Sequence, residues 1–224
     1  MSISNQTSDK PTNPATKFIK FKNGKFSYYD KDKKEEIEME LPIKFMVIDE
    51  LATITGWHDE SQSAIYSNEV HSTVREDLTV RAFKGGELAI GKYKNIKPQI
   101  NNNGGKYTKS VYALDLDTRE IVNFHFSGAV LSTWINKEII ITDNAVVIEK
   151  TEDHKKGVVK YKTPVFAAMA IDKEIFNKAI ELDQNVMRPY FDKYKVHDDS
   201  VQEFPEEDLV LPKKEEVKIS DLPF

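Results

Sequence analysis

IKFMVIDELATIT, residues 43–55, is the stretch on which the architecture of this chain turns. It is rich in Ile, Val and Thr, it is bounded by Pro42 and Gly56, and it holds no turn residue inside. That composition predicts a strand. At 13 residues it is about twice the usual strand length, so it predicts a bent strand whose two halves serve different faces. Downstream, three pairs of β-rich runs each flank a turn signal: DLTVRAF and ELAIGKY around Gly85-Gly86, YTKSVYALDL and EIVNFHF around Asp117-Thr118-Arg119, and EIIITDNAVVIEK and VVKYKTPVFAAMAI around a polar loop centred on HKKG, residues 154–157. Upstream, TKFIKFKNGKFSYY turns at Asn23-Gly24, a strong hairpin signal. The charged run DKDKKEEIEME after it reads as a solvated connection or an edge strand. Three hairpins behind a long opening strand predict a mainly β protein built as a barrel.

Two helices interrupt or close this barrel. Residues 127–136 place Val130, Leu131, Trp134 and Ile135 on one helical face, which makes Trp134 a core residue. Asp172 can cap a second helix in which Ile175, Phe176, Ala179, Ile180 and Met187 recur at helical spacing, and Pro189 should kink or end it. Residues 1–16 are polar and read as a disordered leader, 17–195 as the folded domain, and 196–224 as a flexible tail.

With 224 residues, 39% of them hydrophobic, the chain can bury a real core. It has no Cys, which excludes disulfides, thiolate metal sites and cysteine nucleophiles. No signal-peptide core and no apolar run of spanning length occurs, and the expected location is the cytoplasm, the host's if the gene is a phage's. The net charge of −5 argues at first against a nucleic-acid partner, but it is unevenly spread. From Asp198 onward nine acidic residues face three basic ones, a net of −6, whereas the preceding residues hold 29 Lys and Arg against 28 Asp and Glu. The acidity lives in the tail.

Residues 92–112, KYKNIKPQINNNGGKYTKSVY, hold no Asp or Glu, although acids make up about one residue in six of the chain. Lys92, Lys94, Lys97, Lys106 and Lys109 interleave there with Tyr93, Tyr107 and Tyr112, and residues 101–105 would be a mobile loop between two arms. Lysines neutralise phosphates while aromatic faces stack on unpaired bases, the combination used by sequence-tolerant single-strand binders. The same window also fits a solvated hairpin whose tyrosines pack inward. A second acid-free patch at residues 17–29 carries four lysines with Phe18, Phe21, Phe26, Tyr28 and Tyr29, and there Phe18 or Phe21 is expected in the core. If the Gly85-Gly86 hairpin has a three-residue loop including Glu87, Leu78, Val80 and Ala82 share a core face with Leu88 and Ile90. Thr79, Arg81, Phe83, Ala89, Gly91 and Tyr93 then form a basic and aromatic platform on the other. Trp57 and Tyr66 bracket a polar loop, and Trp57 can either stack on a base or plug a barrel end. The candidate DNA-contacting set is therefore Trp57, Tyr66, Arg81, Phe83, Lys92, Tyr93, Lys94, Lys97, Lys106, Tyr107 and Lys109.

Catalysis is not expected. The five histidines are scattered with no metal-ligand spacing, and no phosphate-cradling, nucleophile-elbow or dinucleotide motif occurs. The carboxylate pairs Asp49-Glu50, Asp115/Asp117 and Asp198-Asp199 are the only nuclease-like candidates; neighbours on a strand point to opposite faces, and Asp115/Asp117 flank a turn.

LPIKFMVIDELATITGWHDESQSAIYSNEV, residues 41–70, resembles a segment of the larger phage single-stranded DNA-binding proteins, and the likeness continues through the helix after Phe126. The resemblance implies an oligonucleotide/oligosaccharide-binding (OB) barrel elaborated with extra strands and two helices. The chain's last residues, Asp221, Leu222, Pro223 and Phe224, preceded by Glu215 and Glu216, are similar to the acidic C-terminal tip of bacterial single-stranded DNA-binding proteins, whose terminal Phe docks in a basic, apolar pocket on replication and repair enzymes. Here Ser220 and Lys218 interrupt the acidic run, and no long Gly- and Gln-rich linker precedes it. The expectation is a non-enzymatic protein, without cofactor, that binds and protects single-stranded DNA in replication, recombination and repair. It recruits partner proteins through its tip and can self-associate on DNA. Two rivals remain: a phage adaptor or inhibitor that binds a host replication protein without touching DNA, and a metal-dependent nuclease.

Overall fold

The computed structural model describes residues 12–196, with side chains to Lys193. The tail, with the tip at Asp221, Leu222, Pro223 and Phe224, and the first eleven residues lie outside the described residues. The chain is mainly β. One mixed sheet of eleven strands contains β1 (Lys17–Lys22), β2 (Lys25–Asp30), β3 (Glu35–Glu38), β4 (Ile43–His58), β5 (Ser63–Ser67), β6 (Leu78–Ala82), β7 (Gly86–Gly91), β8 (Gly105–Asp115), β9 (Ile121–Ser127), β10 (Ala145–Lys156) and β11 (Val159–Met169). Its order is β3-β2-β1-β9-β8-β4-β5-β6-β7, with the β10–β11 ribbon joined to β4. Only β1 and β9 run parallel. Three helical elements accompany it: α1 (Tyr93–Asn102), α2 (Gly128–Ile135), and α3 (Lys173–Leu182) running through a π-turn (Asp183–Met187) into α4 (Arg188–Val196). No helix among the described residues is long and apolar enough to cross a membrane.

β4 organises the molecule as its length predicts. On one edge it pairs with β8 from Phe45 to Gly56; on the other its start pairs with β10 and its end with β5. A bulge at Ile48 lets the strand turn. The sheet therefore curls into two halves, each with its own core. Around the first half, Phe45, Val111, Phe124, Phe126 and Val146 pack under Val130 and Trp134 of α2. Around the second, Ile54, Ile65, Leu78, Val80 and Ala89 pack under Ile96 and Ile100 of α1. α3 and α4 cover the opposite face of the first half through Ala179, Met187, Tyr190 and Phe191.

Local signals act where expected. Asn23 (φ 53°) and Gly24 (φ 83°) give both central residues of the first hairpin the positive φ its two-residue turn needs. The acidic run after it forms β3 at the sheet edge. Of the second acid-free patch, Ile19 and Phe26 are buried, and Phe21 packs against that core. Asp172 Oδ1 accepts from Ile175 N at 2.8 Å and caps α3. Pro189 does not end the helix; a π-turn precedes it, widening the helix where a proline interrupts the usual bonding.

Four expectations change. The 92–112 segment is not a hairpin, because residues 93–102 form α1, whose Ile96 and Ile100 are drawn onto the second core; residues 101–105 hold the end of α1, a tight turn and the first residue of β8. In the β6–β7 hairpin an extra residue, Leu88, is bulged, so Val80 faces Ala89 and Leu78 faces Gly91. Ala89 is then buried and Ile90 is 53% exposed, the reverse of the alternation read from sequence. The β10–β11 strands run through HKKG to a two-residue turn at Gly157-Val158. Finally, the chain is seated on the body before residue 17: Ala15 is buried, Thr16 N donates to Ile121 O, and Asn13 Nδ2 donates to the Tyr112 hydroxyl at 2.9 Å.

Candidate nucleic-acid interface

Cross-strand partners share a sheet face, and residues two apart along a strand do so too. Thr55 stands opposite Lys106, Trp57 opposite Ala64, and Tyr66 opposite Arg81. Phe83, just past β6, continues the ladder by donating its N–H to Ala64 O at 3.0 Å. Lys106, Thr55, Trp57, Ala64, Phe83, Tyr66 and Arg81 therefore form one band across four strands. The band lies on the face turned away from α1 and α2, and none of its side chains joins a core cluster. Ala64 is the small residue between the two larger rings.

Exposure within the band is graded. Phe83 is 40% exposed and Lys106 is exposed, Trp57 and Arg81 are half-buried, and Tyr66 is 6% exposed. Burial raises the Tyr66 hydroxyl pKa, with the Arg81 charge pulling it back, and the ring lies beneath the more exposed Trp57 and Phe83. Thr55 and Thr108 hydroxyls hydrogen-bond at 2.7 Å on the same face. The Trp57 indole N–H is shut from solvent and has no acceptor among the described residues. An orphaned buried donor costs about 1–3 kcal/mol and calls for an explanation. Its position is set by a backbone crossing: a Cβ on Gly56 would meet Gly104 O at 2.3 Å, and one on Gly104 would meet Trp57 O at 2.3 Å.

The remaining candidates lie elsewhere. Tyr107 and Lys109 sit opposite Ile54 and Ala52, on the other face. Tyr107 packs on Tyr93 with ring centroids 5.0 Å apart, both rings half-buried at the edge of the second core; burial raises both hydroxyl pKa values. Lys94 and Lys97 are exposed on α1. Lys92 is tied down, pairing with Asp77 at 2.9 Å and donating to Arg75 O. Trp134 is a core residue, with its N–H donated to Glu50 at 2.6 Å and Lys137 Nζ 3.6 Å from its ring centroid. The structure thus brings Trp57, Tyr66, Arg81, Phe83 and Lys106 together and separates them from Tyr93, Tyr107 and Lys109.

Two of the three acidic pairs are engaged structurally, and Asp198-Asp199 lies outside the described residues. Asp49 pairs with His71 at 2.8 Å while Glu50 faces Trp134 on the other side of β4. Asp115 Oδ1 accepts from the N–H groups of Asp117 and Thr118, closing the β8–β9 turn. Among the described residues no three His, Asp or Glu side chains are grouped to hold a metal ion. Sequence reasoning missed a buried polar network on the face that α4 covers. Glu69, with no cation beside it, accepts from the Ser110 and Tyr112 hydroxyls, and Asn123 bonds Ser110. Burial raises the Glu69 pKa, and the neighbouring Asp49 charge raises it further. Nothing in the loop SNEVHS distinguishes this glutamate from a solvated one. Comparison with family models, curated proteins and solved structures returns no match to this chain.

Proposed function

We propose that this chain binds single-stranded DNA without strong sequence preference and serves DNA replication, recombination and repair as a binding protein rather than an enzyme. The observation that carries the reading is the band of Trp57 and Phe83 beside the buried Tyr66, flanked by Arg81 and Lys106, at the end of the sheet beyond the residues that pack against α3 and α4. Aromatic faces accept any base, and flanking cations neutralise the backbone without reading sequence. The half-buried Thr55 hydroxyl, held by the Thr108 hydroxyl at 2.7 Å, adds a polar contact of either sense. The tip at Asp221, Leu222, Pro223 and Phe224 is the proposed recruiting element for replication and repair proteins. Its acidic, Pro-stiffened approach suits a basic pocket.

Titration with oligo-dT at two salt concentrations, followed by tryptophan fluorescence, tests the reading. Only two tryptophans are present and Trp134 is 1% exposed, so quenching should come from Trp57 and vanish in Trp57→Phe. Absence of binding at low salt would favour the adaptor, and Mg²⁺-dependent cleavage of the oligonucleotide would favour the nuclease.

A further inference from the structure

β10 and β11 outrun the sheet. β10 pairs with β4 only at Val146, Val147 and Ile148, and beyond Thr151 the two strands continue as a ribbon to the turn at Gly157-Val158. A two-stranded ribbon is marginal by itself, and this one also carries a charge conflict. Lys155 stands directly opposite Lys160, and neither they nor Lys156 form an ion pair among the described residues. Like charges directly across a ladder are destabilising. An anion held between them removes that cost.

The ribbon's other face looks across a cleft of about 560 Å³ at α2. His154, Lys156 and Tyr161 line the ribbon side; Ser132, Thr133 and Asn136 line the helix side. The His154 and Tyr161 rings stack with centroids 5.3 Å apart and planes 22° from parallel, and His154 Nε2 is hydrogen-bonded to Thr163 Oγ1 at 2.8 Å, which fixes the imidazole. Tyr161 is 37% exposed. The Thr133 hydroxyl donates back to Ala129 O at 3.1 Å, leaving its lone pairs for a ligand. A flat, rigid ring pair, the unpaired ammonium group of Lys156 and a row of donors and acceptors of either sense match one chemical class, a base joined to phosphate.

We propose that this cleft is a second nucleic-acid site, which takes an unpaired nucleotide of a bound single strand, its base on Tyr161 and its phosphate on Lys156, while Lys155 and Lys160 on the ribbon's reverse face hold a neighbouring phosphate of the same strand between them. The inference rests on reading the chain as a single-strand binder, but the site is distinct from the aromatic band. The cleft lies between the ribbon, which joins the sheet at the start of β4, and α2, which packs over the Phe45 side of that strand; the band lies at the far end and on the opposite face. A strand engaging both must pass around the sheet.

The test uses the full chain with oligo-dT, alone and substituted with 5-iododeoxyuridine for photo-crosslinking. Crosslinks should map to Tyr161 or His154 as well as to the aromatic band, and Ser132→Trp, which fills the cleft from an exposed position, should abolish the former and spare the latter. Tyr161→Ala should weaken long oligo-dT about tenfold or more, the loss of one stacked base, with an unchanged urea midpoint. Replacing Lys155, Lys156 and Lys160 with Ala should flatten the log–log salt dependence by about 1.4, at roughly 0.7 for each of the two phosphates they hold. If Trp57→Ala weakens binding while the Tyr161→Ala, Ser132→Trp and triple-lysine proteins bind as wild type and no crosslink reaches the ribbon, the second site is refuted and the first stands. If the unaltered chain binds no oligo-dT at all, both readings fall.

Discussion

Trp57 and Trp134 show how differently one residue type can be used in one sheet. Trp134 is sealed among Phe45, Phe126 and Phe166 with its N–H donated to Glu50, so Trp134→Ala should cost about 3–5 kcal/mol of stability. Trp57 is half-buried with an orphaned N–H. Trp57→Phe keeps a stacking ring and removes the unpaired donor; it should leave stability equal or higher by about 1 kcal/mol and retain oligo-dT binding measured by anisotropy. Trp57→Ala should weaken that binding by about 1–3 kcal/mol. Glu69 gives a pH prediction. Its folded-state pKa is raised by burial, so between the ordinary carboxylate value and the raised one the folded chain holds a proton that the unfolded chain has released. Its contribution to stability is therefore fully present below the unfolded value and lost as pH rises through the folded one. Urea unfolding across that range should show stability falling with pH in the native chain, and the fall should be absent in Glu69→Gln.

At the scale of elements, α1 decides which tyrosines can serve a ligand. Tyr93 leaves the strand pattern for the first turn of the helix and meets Tyr107 there. Tyr107→Ala should therefore lower the urea midpoint while changing oligo-dT affinity little, and Phe83→Ala should do the opposite. Equal effects of the two on binding would put the strand on the α1 side. The β4 end and the turn before β8 cross at Gly56 and Gly104 with no room for a side chain. Gly56→Ala should cost on the order of 2–3 kcal/mol and displace Trp57, so fluorescence quenching by oligo-dT should fall with it. The same crossing explains why Gly-Gly at 104–105 is part of a turn and not a loose loop.

The whole molecule is held by four clusters around one curled sheet, with β4 common to all of them. The Glu69 network ties distant parts together: Asn13 and Glu69 both bond the Tyr112 hydroxyl, and Tyr190 of α4 lies close enough to have its own pKa raised, mainly by burial and further by the Glu69 charge. Removing the chain through Thr16 should lower the thermal midpoint, because it takes away the Asn13 and Thr16 hydrogen bonds and the buried Ala15. Charge acts at this scale too. Residues beyond Val196 carry a net of −6 beside a body near neutrality, and a covalently linked polyanion competes with DNA at high effective concentration. A chain ending at Val196 should bind oligo-dT more tightly than the full chain, by a margin that shrinks as salt screens the competition; equal affinities at low salt would falsify this autoinhibition.

What the sequence determined by itself is what neighbours along the chain can decide. Asn23-Gly24 turns because both φ values must be positive there, Asp172 caps α3 because its side chain reaches an amide three residues on, and the Thr79, Arg81, Phe83 alternation defines one side of β6 whatever its partners are. The length and β-branching of residues 43–55 likewise required a bent strand in a mainly β chain. Tertiary structure alone decided which strand lies beside which, where an extra residue bulges, and which rings are covered. Leu88 is bulged because Ala89 fits under α1 and Ile90 does not have to. Tyr93 left the platform because Ile96 and Ile100 gain more from burial in a helix than from a strand's alternation. Trp57, Phe83 and Tyr66, up to 26 residues apart, became one band only when β5 paired with both β4 and β6, because register is a property of pairs of strands and is written in neither strand alone.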